Sequence, residues 1–346
     1  MPTSRAWHLV RRPVGEPVAD DVALVESVLP DPVTGEVAVA NEFVSVDPYM
    51  RNRMNDARSY VPPFALDAPM TGGAVGRVTE VVGPAVDETG RPIEVGDRVV
   101  HDHGWRTHAV LPGGQTRVVA AAGSSGQVPA QAWLGVLGMP GLTAYAGLLR
   151  IGEFRPGDVV YVNAAAGAVG SLVGQIARLK GASRVVGSAG GPQKVAWLTE
   201  VAGFDAAIDY RAMPLPLGLR RFAPDGIDVC FENVGGTQLP VALSNMREGG
   251  RVVLCGMIAA YNATEAVPGP ANLALAITRR LTIRGFIVYD HEDLRADFER
   301  EVTAWIRTGQ VHWQESVSEG IDSAFEAFTA MMRGQSVGKA VVAVSP

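Results

Sequence analysis

Asp158 to Ala189 read DVVYVNAAAGAVGSLVGQIARLKGASRVVGSA, and the rhythm of that stretch decides the fold. Its first segment, VVYVNAAA, is a short apolar run of the kind a strand buried on both faces requires. AVGSLVGQIARLK then places apolar residues at helical spacing, and RVVGSA returns to strand character. The turn between the first strand and the helix carries Ala165-Ala166-Gly167-Ala168-Val169-Gly170, an A-x-G-x-x-G arrangement. Gly167 would let the backbone approach a pyrophosphate, and Gly170 would let the helix pack closely on the strand. The helix N-terminus adds free N–H groups and a positive dipole. Tight strand–helix packing alone can demand such glycines, but strand, helix, second strand and spacing agree here, which favours a dinucleotide site.

Outward from this unit the alternation continues through a helix (QKVAWLTEVA), a strand (AAIDY), a strand (IDVCFENV), a helix over Gln238 to Met246, and the strands RVVLCGMI and LTIRGFIV. Six strands alternating with helices predict a doubly wound parallel sheet, an α/β fold. A helix near Leu294 to Thr308 follows, and the final KAVVAV reads as a strand belonging with the beginning of the chain. Pro214 to Pro224 and Ala263 to Pro270 read as loops or frayed turns. Residues 1 to about 125 carry a different pattern of short strands broken by Gly and Pro, at Glu36 to Ser45, Gly73 to Val82, Arg98 to His101 and Arg117 to Ala120. That pattern predicts a β-rich first domain.

A chain of 346 residues that is 47% hydrophobic can bury two cores. The net charge of -6 gives no basic footprint, so no nucleic-acid partner is expected. Cys230 and Cys255 are too few for a disulfide framework. With no apolar run of about 18 residues and no apolar N-terminal segment, a soluble cytoplasmic protein without a membrane partner is expected.

The second strand ends near Ser188, where an NAD-binding protein would place an acid on the ribose 2′-OH. No acid occurs from Arg178 through Thr199. The strand runs instead into Gly190-Gly191-Pro192-Gln193-Lys194, whose lysine can meet a 2′-phosphate as a point charge. NADP is therefore the expected cofactor; without the missing acid, Lys194 would read equally well as a solvated lysine at a helix start.

VDPYMR (Val46 to Arg51), LGMPGLTAY (Leu137 to Tyr145), NAAAGAVGSLVGQIARLKG (Asn163 to Gly181), DVCFENVGG (Asp228 to Gly236), CGMIAAYN (Cys255 to Asn262) and GFIVYD (Gly285 to Asp290) occur in this order. With these strings the chain resembles, over nearly its whole length, the leukotriene B4 12-hydroxydehydrogenase or prostaglandin reductase branch of the medium-chain dehydrogenases/reductases, with its plant-type double-bond reductases. The resemblance implies a GroES-like substrate domain over 1–130, an NADP-binding Rossmann domain over 131–310, and a return segment over 311–346, with the active site in the cleft between the domains. It implies NADPH and α,β-unsaturated aldehydes or ketones as substrates, and a homodimer joined through the nucleotide-binding domains. Gly167, Ala168, Val169 and Gly170 would hold the pyrophosphate, Lys194 and Tyr210 the 2′-phosphate, and Asn233 would sit near the adenine-side ribose and phosphates. Cys255, Gly256, Met257 and Tyr261 with Phe286, Ile287 and Val288 would line the nicotinamide half. The family's Asn near the C-terminus is replaced by Ser336, which puts that contact in question.

Reduction of an activated C=C needs hydride at the β-carbon, stabilisation of the enolate oxygen and a proton at the α-carbon. Tyr261, just beyond the fifth strand at the carboxyl edge of the sheet, has the best claim to stabilise the enolate, directly or through the nicotinamide ribose. The bland alternative is a tyrosine covering the core edge. Tyr49 and Met139 are candidate pocket walls, against ordinary packing, and Arg51 reads as structural. His101, His103 and His108 form the only histidine cluster, but no cysteine or acid completes a zinc set, so a surface-strand role and zinc-independent chemistry are expected. A quinone reductase of the same superfamily and a non-catalytic NADPH-binding protein are the competing readings.

Overall fold

The computed structural model describes residues 3–123 and 128–344. The chain divides into two compact units, one made of residues 1–135 with 315–346 and the other of 136–314. Along the first unit run β1 (Thr3–Leu9), β2 (Val22–Val28), β3 (Glu36–Ser45), α1 (Tyr49–Arg53), β4 (Ala68–Pro69), β5 (Ala74–Val81), β6 (Arg98–His101), β7 (His108–Pro112) and β8 (Arg117–Ala120). The second unit contains α2 (Met139–Ala146), β9 (Val159–Val162), α3 (Ala168–Leu179), β10 (Arg184–Ala189), α4 (Pro192–Glu200), β11 (Ala206–Asp209), α5 (Leu215–Phe222), β12 (Ile227–Glu232), α6 (Gln238–Asn245), β13 (Met246–Leu254), α7 (Leu275–Thr278), β14 (Thr282–Gly285) and α8 (Arg295–Arg307). The chain returns to the first unit as β15 (Glu315–Glu319), α9 (Ala324–Met332) and β16 (Lys339–Ala343).

The first unit is β-rich. A seven-stranded sheet runs β15-β16-β3-β5-β6-β8, with β7 also paired to β3, and a three-stranded sheet runs β2-β1-β4. The final KAVVAV segment supplies β16, which pairs antiparallel with β3 and parallel with β15. Trp105 and Phe328 meet edge to face at 6.0 Å in the core, and the indole N–H of Trp105 donates to the Ser45 carbonyl at 3.1 Å. A buried indole needs such a partner.

The second unit is the doubly wound α/β fold. Its six strands are all parallel in the order β11-β10-β9-β12-β13-β14. All four residues of β9 are buried, as helices on both faces of a parallel sheet require. One expectation fails: within Pro214 to Pro224, residues 215–222 form the helix α5. Pro214 is its N-cap and Pro216 lies in its first turn, where proline forfeits no intrahelical hydrogen bond. Leu215 and Leu219 bury one face, and Arg220 and Arg221 close the last turn where cations suit the dipole. Residues 263–270 carry neither helix nor strand. β1, β2, β4, β7 and β15 were not anticipated; β2 and β15 are rich in exposed or half-exposed positions, which blurs their alternation.

Candidate functional site

Doubly wound sheets bind ligands at the carboxyl edge, where the strand order reverses. Here the reversal falls between β9 and β12. Gly170 sits in the first turn of α3, and a Cβ there would stand 2.7 Å from the Ala164 carbonyl oxygen and 2.9 Å from the Ala165 Cα. Any side chain would push the helix off the strand. The Ala165 N–H donates to the Ser188 carbonyl at 3.0 Å, fastening the turn to the end of β10. Ala164 takes a left-handed φ of 45° without being glycine, so backbone strain is concentrated at this turn. Gly167, the N-cap, offers no side chain to the orphan N–H groups that every helix start presents.

At the end of β10, Ala189 lies opposite Asp209, the last residue of β11. An acid therefore does stand beside the second strand, contributed by its neighbour. Its Oδ1 is occupied, accepting the Gly191 N–H at 2.9 Å and the Arg211 N–H at 3.0 Å. The bond from Gly191 above all, with that from Arg211 and the Arg211 charge, holds the Asp209 carboxyl below its usual range. Lys194, half-buried in the first turn of α4, is pushed below its ordinary pKa by burial and then by the Arg211 charge. The Tyr210 hydroxyl packs on Gly190, whose Cβ would come within 2.6 Å of it. Lys194, Tyr210 and Arg211 thus surround one turn, and two cations acting on each other make a place for an anion. Arg211 escaped the sequence reading; its only signal was its place directly after the third strand.

The loops after β12 and β13 are joined to each other. Cys255 and Gly256 donate their N–H groups to the Glu232 carbonyl at 2.9 and 3.1 Å, and Ala259 donates to Val234 at 3.0 Å. Asn233 donates its N–H to Asn163 Oδ1 at 2.6 Å and its Nδ2 to the Asn163 carbonyl at 2.9 Å. Glu232 is fully buried, and its Oε1 accepts from Asn163 Nδ2 and from the N–H groups of Val234 at 2.8 Å and Gly235 at 2.7 Å. Neither Asn163 nor Glu232 was assigned a role from sequence. The Tyr261 hydroxyl accepts the Met257 N–H at 3.4 Å, which leaves its own proton available. Burial raises the Tyr261 phenol above its ordinary pKa, so it stays protonated at neutral pH. Burial, and then Glu232, also push the Cys255 thiol up to about 12, so it stays protonated at neutral pH.

Met139 opens α2, and its carbonyl accepts the Thr143 hydroxyl at 2.8 Å. The Phe286 ring lies against Gly147 just past α2, and α2 packs on the turn that begins at Val288. In the first unit, Tyr49 opens α1 after Pro48, with its hydroxyl over Gly72. Ser336 lies between α9 and β16. Close to Ser336 in sequence, the buried Lys339 ammonium donates to the Val46 carbonyl at 2.6 Å, Asp47 Oδ1 at 2.9 Å and the Ala340 carbonyl at 2.9 Å. All three of its protons are used. Arg51 is structural as expected, tied to carbonyl oxygens: Nε and Nη2 reach Gly15 O at 3.2 and 2.7 Å, and Nη1 reaches Asn55 Oδ1 at 2.7 Å.

The surface role expected of the histidines fails for His101, which is buried. Its Nδ1 accepts the His103 N–H at 3.0 Å. Burial, then the charges of His103 and Arg106, lower its pKa to about 3.

Residues 5–119 match a family described as the N-terminal domain of oxidoreductase, and residues 168–306 match the zinc-binding dehydrogenase family. The NADPH-dependent curcumin reductase of Escherichia coli is 38% identical over 99% of this chain and 97% of its own. The NADP+-dependent 2-alkenal reductase of Nicotiana tabacum is 40% identical over 90% of this chain and 88% of its own. The crystal structure of CurA from Vibrio vulnificus in complex with NADPH superposes with a TM-score of 0.90, at 38% identity and 99% coverage of both chains.

The native His101 imidazole stays neutral down to about pH 3, whereas in the unfolded chain it takes up a proton below about pH 6.5. Its contribution is therefore fully present above about pH 6.5 and is lost as the pH falls from there toward 3, by at most about 1.4 kcal/mol per pH unit. His101→Asn keeps an acceptor for the His103 N–H and should reduce the acid slope of the unfolding free energy by about one proton. Urea unfolding at several pH values in this window reads that slope. An unchanged slope would mean that the fold accommodates the imidazolium.

Proposed function

The chain belongs to the NADP-dependent double-bond reductase branch of the medium-chain dehydrogenase/reductase superfamily, and from that premise we propose that it reduces the C=C bond of α,β-unsaturated aldehydes and ketones with NADPH. The residues present fit the cofactor: the cradle at Gly170 tolerates no side chain, and Lys194 with Arg211 stands where an NAD-binding fold would present an acid. That cation pair, beside an acid whose oxygen is bound to backbone N–H groups, is the observation that carries the cofactor choice. We assign residues 136–314 to the nucleotide and the other unit to the substrate. Gly167, Ala168, Val169 and Gly170 hold the pyrophosphate, Lys194, Tyr210 and Arg211 the 2′-phosphate, and Asn233 the ribose. Cys255 to Met257, Tyr261, Phe286 to Val288 and Ser336 take the nicotinamide half. NADPH should bind far more tightly than NADH, and Lys194→Ala and Arg211→Ala should each narrow the gap. Equal dissociation constants for the two in the parent protein would overturn the assignment. Oxidation of NADPH, followed by absorbance against enals, enones, 15-keto lipids and curcuminoids, tests the reaction itself.

When bound, NADPH supplies the hydride for the β-carbon. The Tyr261 hydroxyl, held by the Met257 N–H and still carrying its proton, stabilises the enolate oxygen or orients the ribose hydroxyl that does so. Tyr49 and Met139 contact the substrate. Tyr261→Phe keeps the ring and removes one donor, so kcat should fall about 10²-fold while NADPH affinity changes little. Single-turnover hydride transfer at the parent rate, with a primary deuterium isotope effect confirming the step, would remove Tyr261 from the mechanism.

No metal takes part in this reading. Among the described residues no group of three or more His, Cys, Asp or Glu side chains could hold an ion, so activity should survive exhaustive chelation. Stoichiometric zinc lost together with activity would contradict it.

The protein forms a homodimer through the nucleotide-binding units. β14 is an edge strand with β13 as its one neighbour in the sheet, and Ile277, just before it, is 80% exposed; a second copy would cover both. A monomer mass by light scattering across a range of concentrations would exclude the dimer. Among the described residues no helix is long and apolar enough to cross a membrane. We place the protein in the cytoplasm with no nucleic-acid or membrane partner, which cell fractionation checks.

A further inference from the structure

We infer that Glu232 is the positioning residue of the cofactor site, clamping the turn from Asn233 to Gly236 onto the end of β9. The inference rests on reading Gly167 to Gly170 and Asn233 as that site. At the switch point the chain leaves β9 and β12 in different directions, and their ladder ends with Phe231 opposite Val162. Side chains take over one residue later. Glu232 Oε1 gathers three donors: Asn163 Nδ2 from the end of β9, and the N–H groups of Val234 at 2.8 Å and Gly235 at 2.7 Å from its own turn. Asn163 returns the contact by accepting the Asn233 N–H at 2.6 Å. The Glu232 carbonyl in turn accepts the N–H groups of Cys255 and Gly256. Loops after three strands therefore depend on one residue, and two of them carry Asn233 and Tyr261.

The second carboxyl oxygen, Oε2, is buried and has no hydrogen-bond partner among the described residues. A carboxylate kept for its charge would spend both oxygens on donors or a cation. This one uses a single oxygen as a three-way acceptor, and burial favours its neutral acid form. An amide oxygen can do the same work; an aliphatic side chain of similar volume cannot, because it leaves three donors unpaired, two of them buried.

The test compares Glu232→Gln and Glu232→Leu with the parent by NADPH titration, kcat at saturating NADPH, and thermal midpoint without cofactor. The Gln variant should keep nearly the parent dissociation constant for NADPH. The Leu variant should raise it by about tenfold or more, the factor of one lost hydrogen bond, with a smaller change in kcat. A Leu variant that is less stable but binds NADPH like the parent would overturn the inference, because Glu232 would then only support the fold. A Gln variant as weak as Leu would also overturn it, since charge and not the acceptor would be what matters. Should the Leu variant fail to fold, amide hydrogen exchange in the cofactor-free parent decides: slow exchange at Val234 and Gly235 supports the clamp, and fast exchange refutes it. Gly170→Val separates the two readings, because unaltered NADPH affinity there would fault the location of the site itself and remove this role along with it.

Discussion

The Ala164 carbonyl oxygen stands 2.7 Å from where a side chain on Gly170 would begin, and the rest of the second unit is arranged around that approach. It brings the start of α3 against the end of β9, so the helix N-terminus opens at the carboxyl edge of the sheet where the strand order reverses. The left-handed φ of 45° at Ala164 is the conformational cost of turning sharply enough, of order 1–2 kcal/mol for a residue with a Cβ. A backbone bond from Ala165 to Ser188 and a bond from the Gly191 N–H to the Asp209 carboxylate then carry the constraint outward to β10 and β11.

The electrostatics of this edge follow a single pattern. Acids are present but committed: Asp209 to two N–H groups, Glu232 to three donors while burial favours its neutral form. The phenol of Tyr261 and the thiol of Cys255 keep their protons because burial penalises their anions. Lys194 and Arg211 are cations that act on one another beside the Gly190 turn. An edge with neutral hydrogen-bonding groups at one end and a concentrated positive charge at the other suits a ligand whose charge is confined to phosphates and whose reacting end is polar but uncharged.

The first unit meets a comparable problem with different chemistry. Lys339 is buried, which lowers its pKa, while Asp47 opposes that shift, and its three protons meet the Val46 carbonyl, the Ala340 carbonyl and Asp47. Removing one partner from such a set leaves an uncompensated charge, which typically costs about 3–5 kcal/mol. Through Asp47 it holds the residue two positions ahead of Tyr49, so the VDPYMR turn is set by a segment nearly three hundred residues away in the chain. Arg51 adds a second tie, to the Gly15 carbonyl.

The sequence by itself determined the parallel sheet and the glycine turn into α3, because hydrophobic periodicity, β-branched runs and glycine spacing act between residues close in the chain. It misled at α5, where Pro214 and Pro216 begin a helix that a count of prolines reads as a loop. It also misjudged His101, whose burial depends on strands assembled around it. Only the tertiary structure decided that Asp209 stands beside the second strand with its oxygen occupied, that Arg211 joins Lys194, and that Asn163 and Glu232, 69 residues apart, close on each other. These are matters of which strands become neighbours. A linear pattern carries no record of that order, because sheet pairing brings together residues whose separation along the chain leaves no local trace.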